Sequence, residues 1–183
     1  MKKNADDTIA AKLKNPGQRD EGFRLLMAEY GDRLYWHIRR IVVGHDDAED
    51  VMQETAICIY KYAQTFKGDS SLTTWLYKIA TNESLKWLNR HDGTSGSENF
   101  DAADLADKIA VENDLDPGAA AVLFQKAVLT LPAQQRVAFN MRYYDDLPYE
   151  EISKITGKSV STLKTNYHFA VEKISKYLKE NLI

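Results

Sequence analysis

Apolar residues along this chain recur at intervals of three and four and nowhere in convincing alternation, so the pattern predicts helices and no strands. Phe23, Leu26, Met27, Tyr30, Leu34, Ile38, Ile41 and Val42 predict a first long helix, with Gly31 as a candidate interruption and Gly44 as its stop. A second helix is predicted from HDDAED onward. Asp46 or Asp47 caps it, Glu49 and Asp50 sit against the positive end of its dipole, and Ala48, Val51, Met52, Thr55 and Ile59 form its inward stripe. After Phe66 the stretch KGDSS breaks the pattern as a loop. A third helix then turns Leu72, Trp75, Leu76, Ile79 and Ala80 inward.

Later in the chain Val122, Phe124, Val128, Leu129 and Leu131 lead to Pro132, which ends one helix and starts the next over Gln134–Tyr143. The turn from Asp145 to Pro148 introduces two more helices separated by Thr156-Gly157-Lys158. A first helix of about eight residues, a turn with glycine and then a longer helix make the helix-turn-helix pattern, whose second helix enters the major groove. Between the two blocks, His91–Pro117 opens on Gly and Ser, closes on Asp-Pro and reads as a linker, with Ala102–Val111 as a candidate short helix. The expected fold is all-α: an N-terminal extension over 1–17, a helical domain over 18–90, a linker over 91–117 and a second helical domain over 118–183.

Charge alters this picture only through its distribution. With 24 Lys and Arg against 27 Asp and Glu, the net charge of −3 argues against a phosphate-binding chain. Yet Met1–Arg90 holds 14 basic and 13 acidic residues, His91–Pro117 holds 1 and 8, and the remainder holds 9 and 6. The acidity belongs to the linker, whose self-repulsion favours extension. The lone Cys58 excludes an internal disulfide and a cysteine metal site, and is read as a small buried thiol. No apolar run approaches the roughly 18–20 residues of a membrane span. The N-terminus also lacks an apolar stretch after its lysines. The chain reads as cytoplasmic, without membrane insertion.

Three sets of residues carry candidate chemistry. In the helix-turn-helix, Ile152, Ile155, Val160, Leu163, Tyr167, Ala170 and Ile174 point inward. The second helix then presents Ser159, Ser161, Thr162, Lys164, Thr165, Asn166 and His168, with Lys158 in the turn, for contacts to phosphates and base edges. Ser159 or Ser161 caps that helix. Asp50, Gln53 and Glu54 share one face of the second helix at spacings of three and four, either as a solvated acidic face or as a docking surface for a basic partner. Tyr77, Lys78, Thr81, Asn82, Lys86, Asn89 and Arg90 line the third helix away from Trp75 and Ile79, after a loop with Lys67, Ser70 and Ser71. Basic and amide groups beside aromatics suit melted nucleic acid.

An enzyme built on HDDAED with His37 and His45 is the first rival. Adjacent acidic residues point around a helix rather than converging, and neither a zinc-binding histidine spacing nor a glycine-rich phosphate loop is present. No catalytic residue, metal or cofactor is expected. A stand-alone helix-turn-helix regulator, whose first block senses a ligand or dimerises, is the second rival and predicts specific duplex binding without polymerase.

DAEDVMQETAICIYKYAQTFKGDSSLTTWLYKIATNESLKWLNR resembles region 2 of extracytoplasmic-function sigma factors, and LPAQQRVAFNMRYYDDLPYEEISKITGKSVSTLKTNYHFAVEKI resembles their region 4, in the family's order and with the expected linker between. The resemblance implies a non-enzymatic subunit that binds core RNA polymerase, recognises the −10 and −35 elements of promoter DNA, and has an anti-sigma factor as partner. It implies that Asp50, Gln53 and Glu54, matching D-x-x-Q-E, dock on the coiled coil of the largest polymerase subunit. It assigns Lys67, Ser70, Ser71, Trp75, Lys78, Asn82, Lys86 and Arg90 to the −10 strand, and the helix from Ser159 to Ile174 to the −35 duplex. Leu72 stands where an aromatic is common, and Asn166, Phe169 and Val171 replace frequent arginines.

Overall fold

The computed structural model describes residues 2–91 and 119–181, and the chain forms two compact units whose main division along the sequence falls after residue 92. The expected acidic linker beyond His91 and the candidate helix at Ala102–Val111 lie outside the described residues.

The first unit comprises α1 (Lys2–Lys14), α2 (Arg19–Val42), α3 (His45–Tyr62), a 3-10 turn (Ala63–Thr65) and α4 (Leu72–His91). Helix α2 is its axis, with α1, α3 and α4 all packed on it. Leu26, Tyr30, Leu34, Ile38 and Ile41 are fully buried there, together with Val51 and Ile59 of α3 and Leu76 and Ala80 of α4. Phe23, Met27, Trp75 and Ile79, expected inside, are only partly buried. Gly31 does not interrupt α2, because the roughly 1 kcal/mol helix penalty of one glycine is outweighed by a buried stripe continuing on both sides of it.

Gly44 is not the stop either. Val43 takes the left-handed position (φ 76°) and its N–H donates to Arg39 O at 2.9 Å. Gly44 instead forms the N-cap of α3 in an extended conformation. Neither Asp46 nor Asp47 caps α3. The helix begins at His45, so both carboxylates lie in its first turn, where the dipole still favours them. The Asp47 carboxyl lies over Gly44, 2.1 Å from where a β-carbon would sit, so a larger residue there would have to turn the Asp47 side chain aside.

Residues 1–17, expected only as an extension, contain α1. Ile9 and Leu13, one turn apart, are buried, and Lys12 pairs with Glu21 at 2.8 Å. Gly22 permits the approach, since a β-carbon there would stand 2.8 Å from Leu13 N. Two apolar anchors in thirteen residues are too few to produce a visible period.

The second unit comprises α5 (Ala119–Leu129), α6 (Ala133–Tyr143), α7 (Tyr149–Thr156) and α8 (Val160–Asn181). Helix α8 packs on α5 and α6. Ala127, Val128, Leu131, Phe139, Ala170 and Ile174 form the core, with Phe124, Tyr144 and Tyr167 against it. The Phe139 ring stacks on Tyr143 (5.1 Å between centroids) and on Tyr167 (5.6 Å). Pro132 stands at the N-cap of α6. The described residues contain no strand.

Candidate nucleic-acid interface

Helix α8 owes its start to Ser159, whose Oγ accepts the Thr162 N–H at 3.1 Å and lies 2.8 Å from Thr162 Oγ1. Of the two serines that could cap, Ser159 is the one used. Gly157 makes the turn at φ 72°, and Ser153 Oγ closes it by donating to Lys158 O at 2.7 Å. Ile152, Ile155, Leu163 and Ala170 are buried, which fixes the rotation of the helix and leaves Ser159, Ser161, Thr162, Lys164, Thr165 and His168 exposed, with Lys158 and Asn166 half-buried. The Thr165 hydroxyl donates to Ser161 O at 3.1 Å, and His168 lies 3.5 Å from Glu172. Tyr149, at the start of α7, lies beneath two cations: Lys164 Nζ at 5.8 Å and Arg142 Cζ at 5.7 Å from its ring centroid. An aromatic face under a lysine narrows the directions its ammonium explores.

In the first unit, Ser71 caps α4 in the same way, accepting the Thr74 N–H at 3.0 Å, with Ser71 Oγ 2.7 Å from Thr74 Oγ1. The loop before it exposes Lys67 and Ser71, with Ser70 half-buried and Gly68 at φ 85°. Trp75 is half-buried against Phe66, 5.3 Å between ring centroids. Lys78, Asn82, Lys86 and Arg90 are exposed along α4. Lys86 shares its charge with Glu83 at 2.7 Å, a hydrogen bond that raises the Lys86 pKa.

Tyr77 and Thr81 do not belong to that outer face. Both are buried toward α2, where the His37 ring lies 4.7 Å from the Tyr77 ring and His37 Nε2 is 2.9 Å from Thr81 Oγ1. Their hydroxyls read as surface groups until the buried histidine opposite is known.

Asp50, Gln53 and Glu54 are all exposed on one face of α3, while Val51 and Thr55 between them are buried. Ile57, one turn after Glu54, is 59% exposed and extends this face with an apolar side chain. Cys58 is partly buried, its Sγ 3.7 Å from Glu83 Oε1. Burial and that carboxylate raise the thiol pKa, which disfavours the reactive thiolate.

Residues 26–94 match the sigma-70 region 2 family and residues 121–174 match sigma-70 region 4. Over most of its length the chain is similar to the ECF RNA polymerase sigma-E factor of Salmonella typhimurium, 29% identical with 92% of each chain covered. It is likewise similar to the ECF RNA polymerase sigma factor SigW of Bacillus subtilis, 27% identical with 94% of this chain and 97% of that one covered. The chain belongs to the extracytoplasmic-function sigma factors. It is thus an alternative sigma factor, a non-enzymatic subunit that binds core RNA polymerase and directs initiation at promoters through their −10 and −35 elements.

Solved structures share the fold. CnrH, in complex with the cytosolic domain of CnrY, superposes with a TM-score of 0.72 at 19% identity, covering 97% of this chain and 99% of that one. The sigma factor RpoE of Bartonella quintana, in complex with the anti-sigma factor NepR, gives 0.66 at 23% identity, covering 87% and 98%. Among the described residues of this sigma factor no helix is long and apolar enough to cross a membrane. Three features of its surface were not visible in the sequence pattern: the Tyr149 platform, the exposed Ile57 and helix α1. The first two need a tertiary neighbour or its absence to be noticed, and α1 shows only the paired anchors Ile9 and Leu13.

Proposed function

We propose that this sigma factor divides promoter recognition between its two units. Asp50, Gln53 and Glu54 dock on core polymerase. The 67–71 loop, with Trp75, Lys78, Asn82, Lys86 and Arg90, takes up the melted −10 strand. The start of α8, with Lys158, Ser159, Ser161, Thr162, Lys164, Thr165, Asn166 and His168, reads the −35 duplex. The observation that carries this reading is the Ser159-capped helix, whose buried side is held by Leu163 and Ala170 while its first turns present lysine and hydroxyl groups to solvent. Ser159 and Thr165 bond within the chain, and Lys164, exposed and steered by the Tyr149 ring, is the side chain assigned a direct contact. The protein works in the cytoplasm, where polymerase and promoter are, and an anti-sigma protein holds it inactive, a reading supported by the RpoE structure with its anti-sigma factor.

Reconstitution with core polymerase and run-off transcription from genomic fragments tests the assignment. Glu54→Lys should weaken core binding with helicity unchanged, because an exposed substitution alters stability by no more than about 0.5 kcal/mol. Lys164→Ala should lower transcription from promoters that depend on the −35 element and reduce the salt dependence of duplex binding by about one charge. Specific duplex binding by the free chain, with no stimulation of core polymerase, would favour the stand-alone regulator instead.

A further inference from the structure

Helix α1 reaches both ends of the loop assigned above to the −10 strand. Phe66 immediately precedes Lys67, and its ring is covered on one side by Lys14 Nζ of α1, 5.3 Å from the centroid, and flanked by Trp75. At the other end the Tyr30 hydroxyl, on the buried axis of α2, donates to Asp6 of α1 at 2.5 Å and lies 3.4 Å from Thr73 Oγ1 in the first turn of α4. Thr73 directly precedes Thr74, whose N–H is accepted by Ser71, the cap that ends the loop. Helix α1 also packs on the 3-10 turn that leads into Phe66. Its sequence position, outside the residues matched to region 2, gives no hint of this placement.

The contacts are stronger than surface decoration. Tyr30 is fully buried, and burial followed by the Asp6 hydrogen bond pushes its pKa up to about 12, so the phenol stays protonated and its donation to Asp6 persists across the working range of pH. Ile9 and Leu13, three and seven residues after Asp6 and so on the same side of α1, are buried, which makes Asp6 and Lys14 part of a docked element rather than a free tail. The loop contains Gly68 at φ 85°, a residue type that loses more conformational freedom than any other when its backbone is fixed. Holding both its ends lowers the conformational entropy lost when a flexible strand is captured against it.

We propose that α1 is a positioning element for the Lys67–Ser71 loop, acting through Lys14 at the start of the loop and through Asp6 and Tyr30 at its end. The inference rests on the assignment of that loop to the −10 strand. It carries a sign that separates it from simple electrostatics. Removing the negative charge of Asp6 should strengthen DNA binding if charge alone mattered, whereas loss of the buttress should weaken strand capture.

The test uses holoenzyme assembled from core polymerase and the full chain, on a promoter recovered by run-off transcription. Permanganate reactivity of thymines in the −10 element reports strand opening, and core affinity and −35 duplex binding are measured alongside. Asp6→Ala and Tyr30→Phe should each lower opening by about threefold to tenfold, the worth of one hydrogen bond. The double variant should be no worse than Tyr30→Phe alone, and core affinity and duplex binding should not move. Lys14→Met, which keeps the stem and removes the cation, should give a smaller loss. Asp6→Ala sits on a partly exposed turn and keeps the helix, so the proposal stays testable if Tyr30→Phe lowers stability. Opening that is unchanged or increased in Asp6→Ala, while Lys67→Ala reduces it, overturns the buttress and leaves the loop assignment standing. If Lys67→Ala and Ser70→Ala also leave opening unchanged, the loop assignment fails and takes the inference with it.

Discussion

The first unit buries hydroxyls and an imidazole among its helices, whereas the second buries two amides, Gln125 and Asn140, beside a core cluster of rings and aliphatic side chains. Around α2 the buried set includes Tyr30, His37, Thr55, Thr74, Thr81 and Ser84. Around α8 it centres on the Phe139 stack with Ala127, Val128, Leu131 and Ile174. Apolar packing sets how closely helices approach, but a hydrogen bond between named atoms also sets their rotation and register. The first unit presents residues from α3, α4 and the loop before α4, so its elements must hold register with one another. The second presents its candidate reader from one helix, and a well-packed face with a capped end is enough to hold that.

Perturbations that separate these two kinds of packing should differ in size. The largest effect should come from Phe139→Ala, which removes the ring contacted by Phe124, Tyr143, Tyr144 and Tyr167. A cost of about 3–5 kcal/mol is expected from such a truncation. Circular dichroism should show the second unit melting earlier while the first keeps its transition. The matching change in the first unit, Thr81→Val, keeps the volume and removes the hydrogen bond at His37 Nε2, which should cost about 1–3 kcal/mol. Equal losses for the two would erase the distinction drawn between the cores.

The caps give a closer comparison, because Ser71 and Ser159 perform the same task in different units. Each serine-to-alanine change should cost about 1 kcal/mol of local stability. Their functional effects should diverge, with Ser71→Ala lowering −10 strand opening and Ser159→Ala lowering −35 duplex affinity. Identical transcription profiles for the two variants would argue against separate roles for the units.

The smallest effects belong to the two non-glycine residues at positive φ, Val43 and Asp146. A β-branched residue is strained there, while aspartate tolerates the conformation. Val43→Gly should raise stability by about 0.5–1 kcal/mol, the relief of strain less the entropy glycine loses on folding. Asp146→Gly should stay within about 0.5 kcal/mol, since its ion pair with Arg142 is largely exposed. Thermal melts of the two variants measure the difference.

Features that depend on spacing within one helix were legible in the sequence. Leu26, Tyr30, Leu34, Ile38 and Ile41 declared α2 and its buried side, and Asp50, Gln53 and Glu54 declared a shared face, because helical geometry alone relates residues three and four apart. The helix-turn-helix was legible for the same reason, with Gly157 marking the one left-handed turn between two periodic runs. Caps were half legible: Ser159 or Ser161 was the choice at α8, and packing of Leu163 and Ala170 set the rotation that made it Ser159. Tertiary structure decided whatever depended on a partner distant in sequence. Tyr77 and Thr81 turned inward because His37, some forty residues earlier, offers a buried hydrogen-bond and ring partner. Helix α1 became part of the first unit because Gly22 lets its backbone approach α2 and because the Tyr30 hydroxyl donates to Asp6. Periodicity reports which side of a helix is apolar, but only the neighbouring element determines which polar groups can be buried there without losing their hydrogen bonds.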